Sequence, residues 1–350
     1  MKRKQNNLLG IFRFSIFLTV ILAGVTFWQL SWQGLWLFFV LLILEVTFSF
    51  DNAVVNSRTL ASMSLIWQRI FLTVGIFIAV FAVRFLLPIV IVIFASGLNF
   101  GEVVSMALNN PERYSHVLHN ASPMINAFGG IFLLMIGLSY FVDYNKQIHW
   151  VRGVEPWLAR AGKFENFRAC LILLVMVVLY FTVEEKYKAM ILISSVLGIL
   201  LHIGLELFGS LFGSHSSKDI KLKTGWAAFA AFLYLEVLDA SFSFDGVIGA
   251  FAITSSVILI TSGLSAGAIW VRSLTIYLMR SGTLSKYRYL EHGAHWAIVA
   301  LGIMMLFKLF HVELPEWITG SLGLAFIILA ITSSVIEARH VKNTKNLQSS

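Results

Sequence analysis

The chain has 350 residues, 58% of them hydrophobic and only 13% charged, with a formal net charge of +8 and one cysteine, Cys170. Soluble domains carry about 25% charged residues, so this composition excludes a pair of soluble domains and points to a membrane bundle. The bases lie in loops between apolar runs, which argues against nucleic acid as a partner, and a lone cysteine excludes an internal disulfide framework and argues against a thiolate site for soft metals.

Met1-Lys2-Arg3-Lys4 leads into an apolar run with no clear small-residue cleavage site after it, and reads as an uncleaved first span. Ten spans are expected, at about 12–30, 35–56, 67–95, 124–143, 168–183, 189–212, 226–247, 262–280, 294–311 and 317–337. Helix is the expected state throughout, because ten-residue alternating barrel strands are absent and a helix satisfies its own backbone in lipid. The fold class is therefore all-α, a polytopic membrane helix bundle, with 1–350 as a single integral membrane domain.

Loop charge orients the bundle. With both termini cytoplasmic, inside loops hold Lys2, Arg3, Lys4, Arg58, Lys146, Arg152, Arg160, Lys163, Lys218, Lys221, Lys223, Lys286, Arg288, Arg339, Lys342 and Lys345. Outside loops hold only Arg113, Lys186 and Lys188, and this asymmetry is the signature of a cell-membrane protein with a basic inner side. The fifth span is the shortest, and the parity of all later spans depends on it.

Two of the expected spans carry the same word, Phe48-Ser49-Phe50-Asp51 and Phe242-Ser243-Phe244-Asp245. A second acid lies six residues before each aspartate, Glu45 in one copy and Asp239 in the other, and Glu236 joins the second. Acids inside hydrocarbon are expensive and mark functional sites. Five crossings separate the motifs, so they should run in opposite directions, as in inverted-topology repeats spanning 35–143 and 226–337.

At 100° per residue, Glu45, Ser49, Asn52 and Asn56 fall within about 60° of one another, whereas Asp51 lies roughly 120–160° away. An unbroken helix cannot point both acids at one ion. Either the helices break near Asp51-Asn52 and Asp245-Gly246, which is the favoured reading, or the two faces meet different partners. Glu45, Asp51, Asn52, Glu236, Asp239 and Asp245 form an all-oxygen set suited to a hard cation such as Mg²⁺, Ca²⁺ or Mn²⁺, with Ser49 and Ser243 in support. Arg84 and Arg272, each in the span after a motif, would neutralise the empty site. The bland alternative is that the acids pair with these arginines and only hold helices together.

His202 and Glu206, one turn apart, suit a proton relay, a second cation contact or a polar helix contact. Glu112, His116 and His119 read as a solvated face before a metal site, and His292 and His295 lie at an inner helix end. There is no nucleophile elbow and no P-loop, so no enzyme is expected.

At the segments Glu45-Val-Thr-Phe-Ser-Phe-Asp51-Asn52 and Glu236-Val-Leu-Asp239-Ala-Ser-Phe-Ser-Phe-Asp245-Gly246, the chain resembles the TerC-like integral membrane proteins (YkoY/TerC type), closest to the branch catalogued as domain of unknown function 475. The resemblance covers roughly residues 35 to 337 and departs from typical TerC in its span number and in Gly246, where many members have serine. It implies a repeat-built exporter, linked in that family to tellurium resistance and manganese export. The expectation is a secondary transporter moving a divalent cation, Mn²⁺ foremost, out of the cytoplasm with proton countertransport and no prosthetic group. Two other readings stand beside it: a metal-binding membrane factor that helps insert or metallate exported proteins, and an exporter of a small organic solute.

Overall fold

Long apolar runs close their own backbone hydrogen bonds without water by forming helices. The computed structural model describes residues 8–164, 166–212, 222–312 and 315–348. In chain order these form α1 (Leu8–Phe48), α2 (Phe50–Ala61), α3 (Leu65–Phe77), a π-helical stretch (Ile78–Leu86), α4 (Leu87–Ser96), α5 (Phe100–Asn109), α6 (Pro111–Asn120) and α7 (Ser122–Phe141). There follow α8 (Val154–Ala161), α9 (Phe167–Thr182), α10 (Lys188–Phe212), α11 (Gly225–Ile253), α12 (Val257–Ser281), α13 (Thr283–Lys286), α14 (Leu290–Lys308) and α15 (Glu316–Gln348). Among the described residues no strand forms; Met63 and Lys223 make an isolated bridge.

Among the described residues eight helical segments are long and apolar enough to cross a membrane, so this is a multi-pass membrane protein. Ten were expected, and the difference has two sources. The first two expected spans are joined in one 39-residue segment, Gly10–Phe48, and α9 is a 16-residue helix, below the usual crossing length.

Contacts show how both behave. Ser31 in α1 has φ 57° and ψ −158°, far from helical values. Before it, Ser15 bonds the Ser273 hydroxyl and the Ile269 carbonyl, and Trp270 donates to Thr19. After it, Leu41 touches Gly263 and Glu45 touches Gly267. A straight helix would hold Ser15 and Glu45 about 45 Å apart, yet their partners on α12 are within two turns of each other. The chain therefore reverses at Ser31, and both arms of α1 lie along α12. Trp28, Trp32 and Trp36 around the reversal are exposed, as interfacial aromatics are.

The connections sort to two ends of the bundle. Arg58 pairs with Glu291, Arg288 with Glu337 and His292 with Glu155, and the Met63–Lys223 bridge lies at this same, basic end. Glu184 meets His311 and Tyr114 meets Phe251 at the other. α9 leaves the segment of Glu155 and arrives at Glu184, so it runs from one end to the other despite its length.

Burial separates an interior from a rim. The apolar window of α7 is 78% buried and those of α11, α12 and α14 are 65–67% buried, whereas that of α1 is 11% and that of α15 17%. The interior is close-packed through glycines: Gly130 abuts the Gly302 carbonyl, and Gly263 and Gly267 let α1 approach α12 backbone to backbone.

The expected helix breaks do not form where the sequence suggests. α11 runs through Asp245 and Gly246 without interruption. α1 ends at Phe48 and α2 begins at Phe50; the interruption is Ser49 alone, with φ −104° and ψ 15°. Hydrogen bonds continue across it, from Ser49 N–H to Glu45 O and from Ala53 N–H to Ser49 O. The Ser49 turn is tight enough to keep these two bonds of the ladder.

Candidate functional site

The two motif segments lie side by side and antiparallel. Met63 bridges Lys223, Asn52 bonds Asp239, and Glu45 reaches Gly246, so rising numbers on one strand of contact meet falling numbers on the other. Between them lies a buried network of acids and arginines. The Arg84 guanidinium bonds Glu45 and stands 3.7 Å from Asp239. Arg272 makes a two-pronged pair with Glu236, at 2.9 and 2.8 Å, and stands 3.5 Å from the same Asp239 oxygen. Asn52 donates to the other Asp239 oxygen at 2.9 Å, and Ser49 donates to Glu45 at 3.1 Å. Asp239 is thus shared by both arginines and by α2. Glu45, Arg84, Glu236, Asp239 and Arg272 are each at most 5% exposed.

Local structure aims each arginine. Pro88 has no N–H for the Arg84 carbonyl, and its ring crowds that carbonyl. The preceding stretch widens into a π-helix, where the Leu87 N–H bonds the Ala82 carbonyl. Arg84 sits in this widened turn, and its Nη1 donates to the Ala79 carbonyl at 2.8 Å. Arg272 instead projects from regular α12, donates to the Phe71 carbonyl at 3.1 Å and covers the Phe71 ring at 4.2 Å. Gly75 opposite has no side chain, and a Cβ there would stand 2.5 Å from Arg272 Nη1.

Asp51 is not part of this network. It is 3% exposed and faces Gly323 of α15, its Oδ1 without a hydrogen-bond partner. The two faces of the first motif therefore meet different partners, and the helix need not break. Ser243 turns to the Asp239 carbonyl at 2.7 Å. The Asp245 side chain lies outside the described residues. Among the described residues no group of three or more His, Cys, Asp or Glu is close enough to hold a metal.

A family model for proteins of unknown function, DUF475, matches residues 50–341, most of the chain. The chain belongs to the DUF475 family. No curated protein and no solved structure matches it. The family match takes in Asp51, Asn52, both arginines and the whole second motif, and begins just after Glu45 and Ser49.

The remaining candidates of this DUF475 chain lie elsewhere. His202 shares Ser139 with Arg168, and Arg168 pairs with Glu206 at 2.9 Å, a separate polar cluster joining α7, α9 and α10. His116 bonds Asn120 on the exposed face of α6. His292 and His295 are buried beside a cavity of about 1000 Å³ at the basic end, which also meets Arg58, Lys146, Arg288 and Glu291. His292 Nδ1 donates to Glu155 at 2.8 Å and His295 stacks on Tyr140 at 3.6 Å.

Glu155, which the sequence reading missed, holds this end together. Burial acts to raise its carboxyl, but hydrogen bonds from His292, the Trp150 N–H and Trp296 outweigh that and hold it below the usual carboxylate range. Lys146 lies over the Tyr140 ring, 3.0 Å from its centroid, and burial pushes its ammonium down to about 7. The glycines Gly75, Gly263 and Gly267 were also missed, although the Gly263-x3-Gly267 spacing is a legible sign of close helix contact.

Proposed function

We propose that this protein is a secondary transporter that exports a divalent cation, Mn²⁺ foremost, from the cytoplasm through the acid–arginine network. One observation carries the reading. Three buried carboxylates, Glu45, Glu236 and Asp239, face two guanidiniums, Arg84 and Arg272, in the interior of the bundle, and a fourth, Asp51, is buried apart from them beside Gly323. Fully ionised, that set has two negative charges in excess, and low-dielectric surroundings make such an excess costly. A dication or two protons would balance it, which suits exchange of one for the other.

The antiparallel motif helices support an inverted repeat, with 35–143 and 226–337 as its halves. Counting the two arms of α1 separately and admitting α9 brings the crossings to the ten expected from sequence, with the basic end cytoplasmic. The TerC resemblance of both motifs favours a metal over other cargo. In this scheme Glu45, Asp51, Asn52, Glu236, Asp239 and Asp245 bind the cation, and the arginines take up the acids when it leaves.

A second reading has its own observation. The two-pronged Arg272–Glu236 pair is the geometry of a static clamp. A clamp alone suits a membrane factor that helps other exported proteins and moves no ion itself. Purified protein in vesicles separates the two. Mn²⁺ flux that Asp51→Asn and Asp245→Asn each abolish, in protein that still inserts, is the expected result. Wild-type flux in both variants rejects the acid site, and no flux in the parent rejects transport.

A further inference from the structure

The cavity at the basic end reaches down to the helices that carry the acid network. Val55 and Thr59 of α2 and Tyr234 of α11 form part of its wall. On α2, Asn52, Val55, Asn56 and Thr59 lie within about 100° of the helix circumference, so they make one continuous side. Asn56 and Asn52 are one turn apart on it, 3% and 0% exposed, and each has a side-chain carbonyl oxygen with no hydrogen-bond partner. The Asp239 oxygen between the two arginines and the Asp51 Oδ1 lack hydrogen bonds as well. Buried polar atoms in folded proteins are nearly always partnered. Here the Asn56 and Asn52 carbonyl oxygens, one turn apart, lack any donor, and the Asp239 oxygen meets only the two arginines at 3.5 and 3.7 Å; acceptors without close donors are what a cation or its water needs.

We propose that the basic-end cavity is the entrance to the network, and that Asn56 and then Asn52 pass a partly hydrated divalent cation inward along α2, with Asn56 a ligand on that route. The inference rests on the transport reading above and names the path that reading leaves open.

The charges at the mouth permit it. Arg58 is neutralised by Glu291 and Arg288 by Glu337. Lys146 is turned onto the Tyr140 ring and the Tyr140 carbonyl, and its lowered proton affinity reduces its charge near neutral pH. A cation entering there meets oxygen atoms and aromatic faces rather than a bare positive ring. Asn52 keeps its amide nitrogen on Asp239, so its carbonyl oxygen is the end left for a ligand.

The test is thiol accessibility in reconstituted vesicles. Cys170, which is exposed, is first replaced by serine. Val55→Cys and Asn56→Cys are then treated with a membrane-impermeant thiol reagent from each side, with and without Mn²⁺. Labelling from the side of the basic end, slowed several-fold by Mn²⁺ at Asn56→Cys, is expected. If no reagent reaches either position while the Cys170→Ser parent still moves Mn²⁺, the entrance is wrong and the transport reading survives. If both label, Mn²⁺ slows neither and the parent moves no Mn²⁺, the transport reading fails and takes the route with it. A flux comparison closes the question: Asn56→Leu should cut Mn²⁺ movement at least tenfold and Asn56→Asp should keep it. Parental flux in Asn56→Leu overturns the role of Asn56.

Discussion

The two arginines that close the network do so differently. Arg272 stands on a regular helix, grips Glu236 with two parallel bonds, and is seated on the Phe71 ring beside Gly75. Arg84 stands on a π-helical stretch, holds Glu45 through one nitrogen, and uses the other on the Ala79 carbonyl. Fork-on-fork pairs are stronger and more directional than single contacts, and π-helical turns concentrate where function needs adjustable backbone. In the transport scheme proposed above, the Arg272 pair serves as the fixed anchor and the Arg84 contact as the one released. The two copies of the motif are thus met by acid–arginine pairs of unequal geometry.

Arg272→Ala should have the largest effect. It leaves Glu236 buried with no hydrogen-bonding partner among the described residues, a loss of about 3–5 kcal/mol for a buried charge. Arg84→Ala should cost less, because Glu45 keeps the Ser49 hydroxyl and Asp239 keeps Arg272. Thermal unfolding in detergent measures both, and equal losses would erase the distinction between anchor and releasable contact.

Gly75→Ala tests the seat of the anchor. Its Cβ would fall 2.6 Å from Glu236 Oε1, so an overpacking loss of about 1–3 kcal/mol is expected. Gly323→Ala is the control beside Asp51, where the nearest carboxylate atom would be at an ordinary 3.4 Å. That variant should be no less stable than the parent; a loss comparable to that of Gly75→Ala would show that local fit does not set the difference.

Pro88→Ala sharpens the other side. Restoring an N–H at this position allows the 78–86 stretch to rewind toward α-helix and re-aim Arg84. Slower amide hydrogen exchange across 78–86, with the melting temperature little changed, is the expected outcome. Unaltered exchange would mean that the π-helix has a cause other than the proline.

A pH-dependent effect belongs to the basic end. Lys146 holds its proton more weakly folded than unfolded, with its ammonium at about 7 against an ordinary 10.5. Between those values the unfolded chain binds more protons, so stability rises with pH across that range. Lys146→Met should flatten this rise in melts recorded from pH 7 to pH 10 and stabilise the protein at the lower end. A rise that persists in the variant assigns it to another group.

Much of this was legible in the residues alone. Composition made the chain a helical membrane protein, since only helices satisfy such long apolar runs in lipid. The repeated Phe-Ser-Phe-Asp word marked Glu45, Asp51 and Asp239 as unusual, and the 100° periodicity separated Asp51 from Glu45, as their different neighbours now show. The arginines were noticed but fell out of register, at 33 and 27 residues past their aspartates. Only the packed bundle decides that both converge on Asp239, because a π-helix and a glycine gap set where their long side chains end. The reversal at Ser31 and the tether of Glu155 to His292 were equally out of reach. Each depends on contacts between residues distant in sequence, and a single chain's periodicity records which face is apolar but not which helix that face will meet.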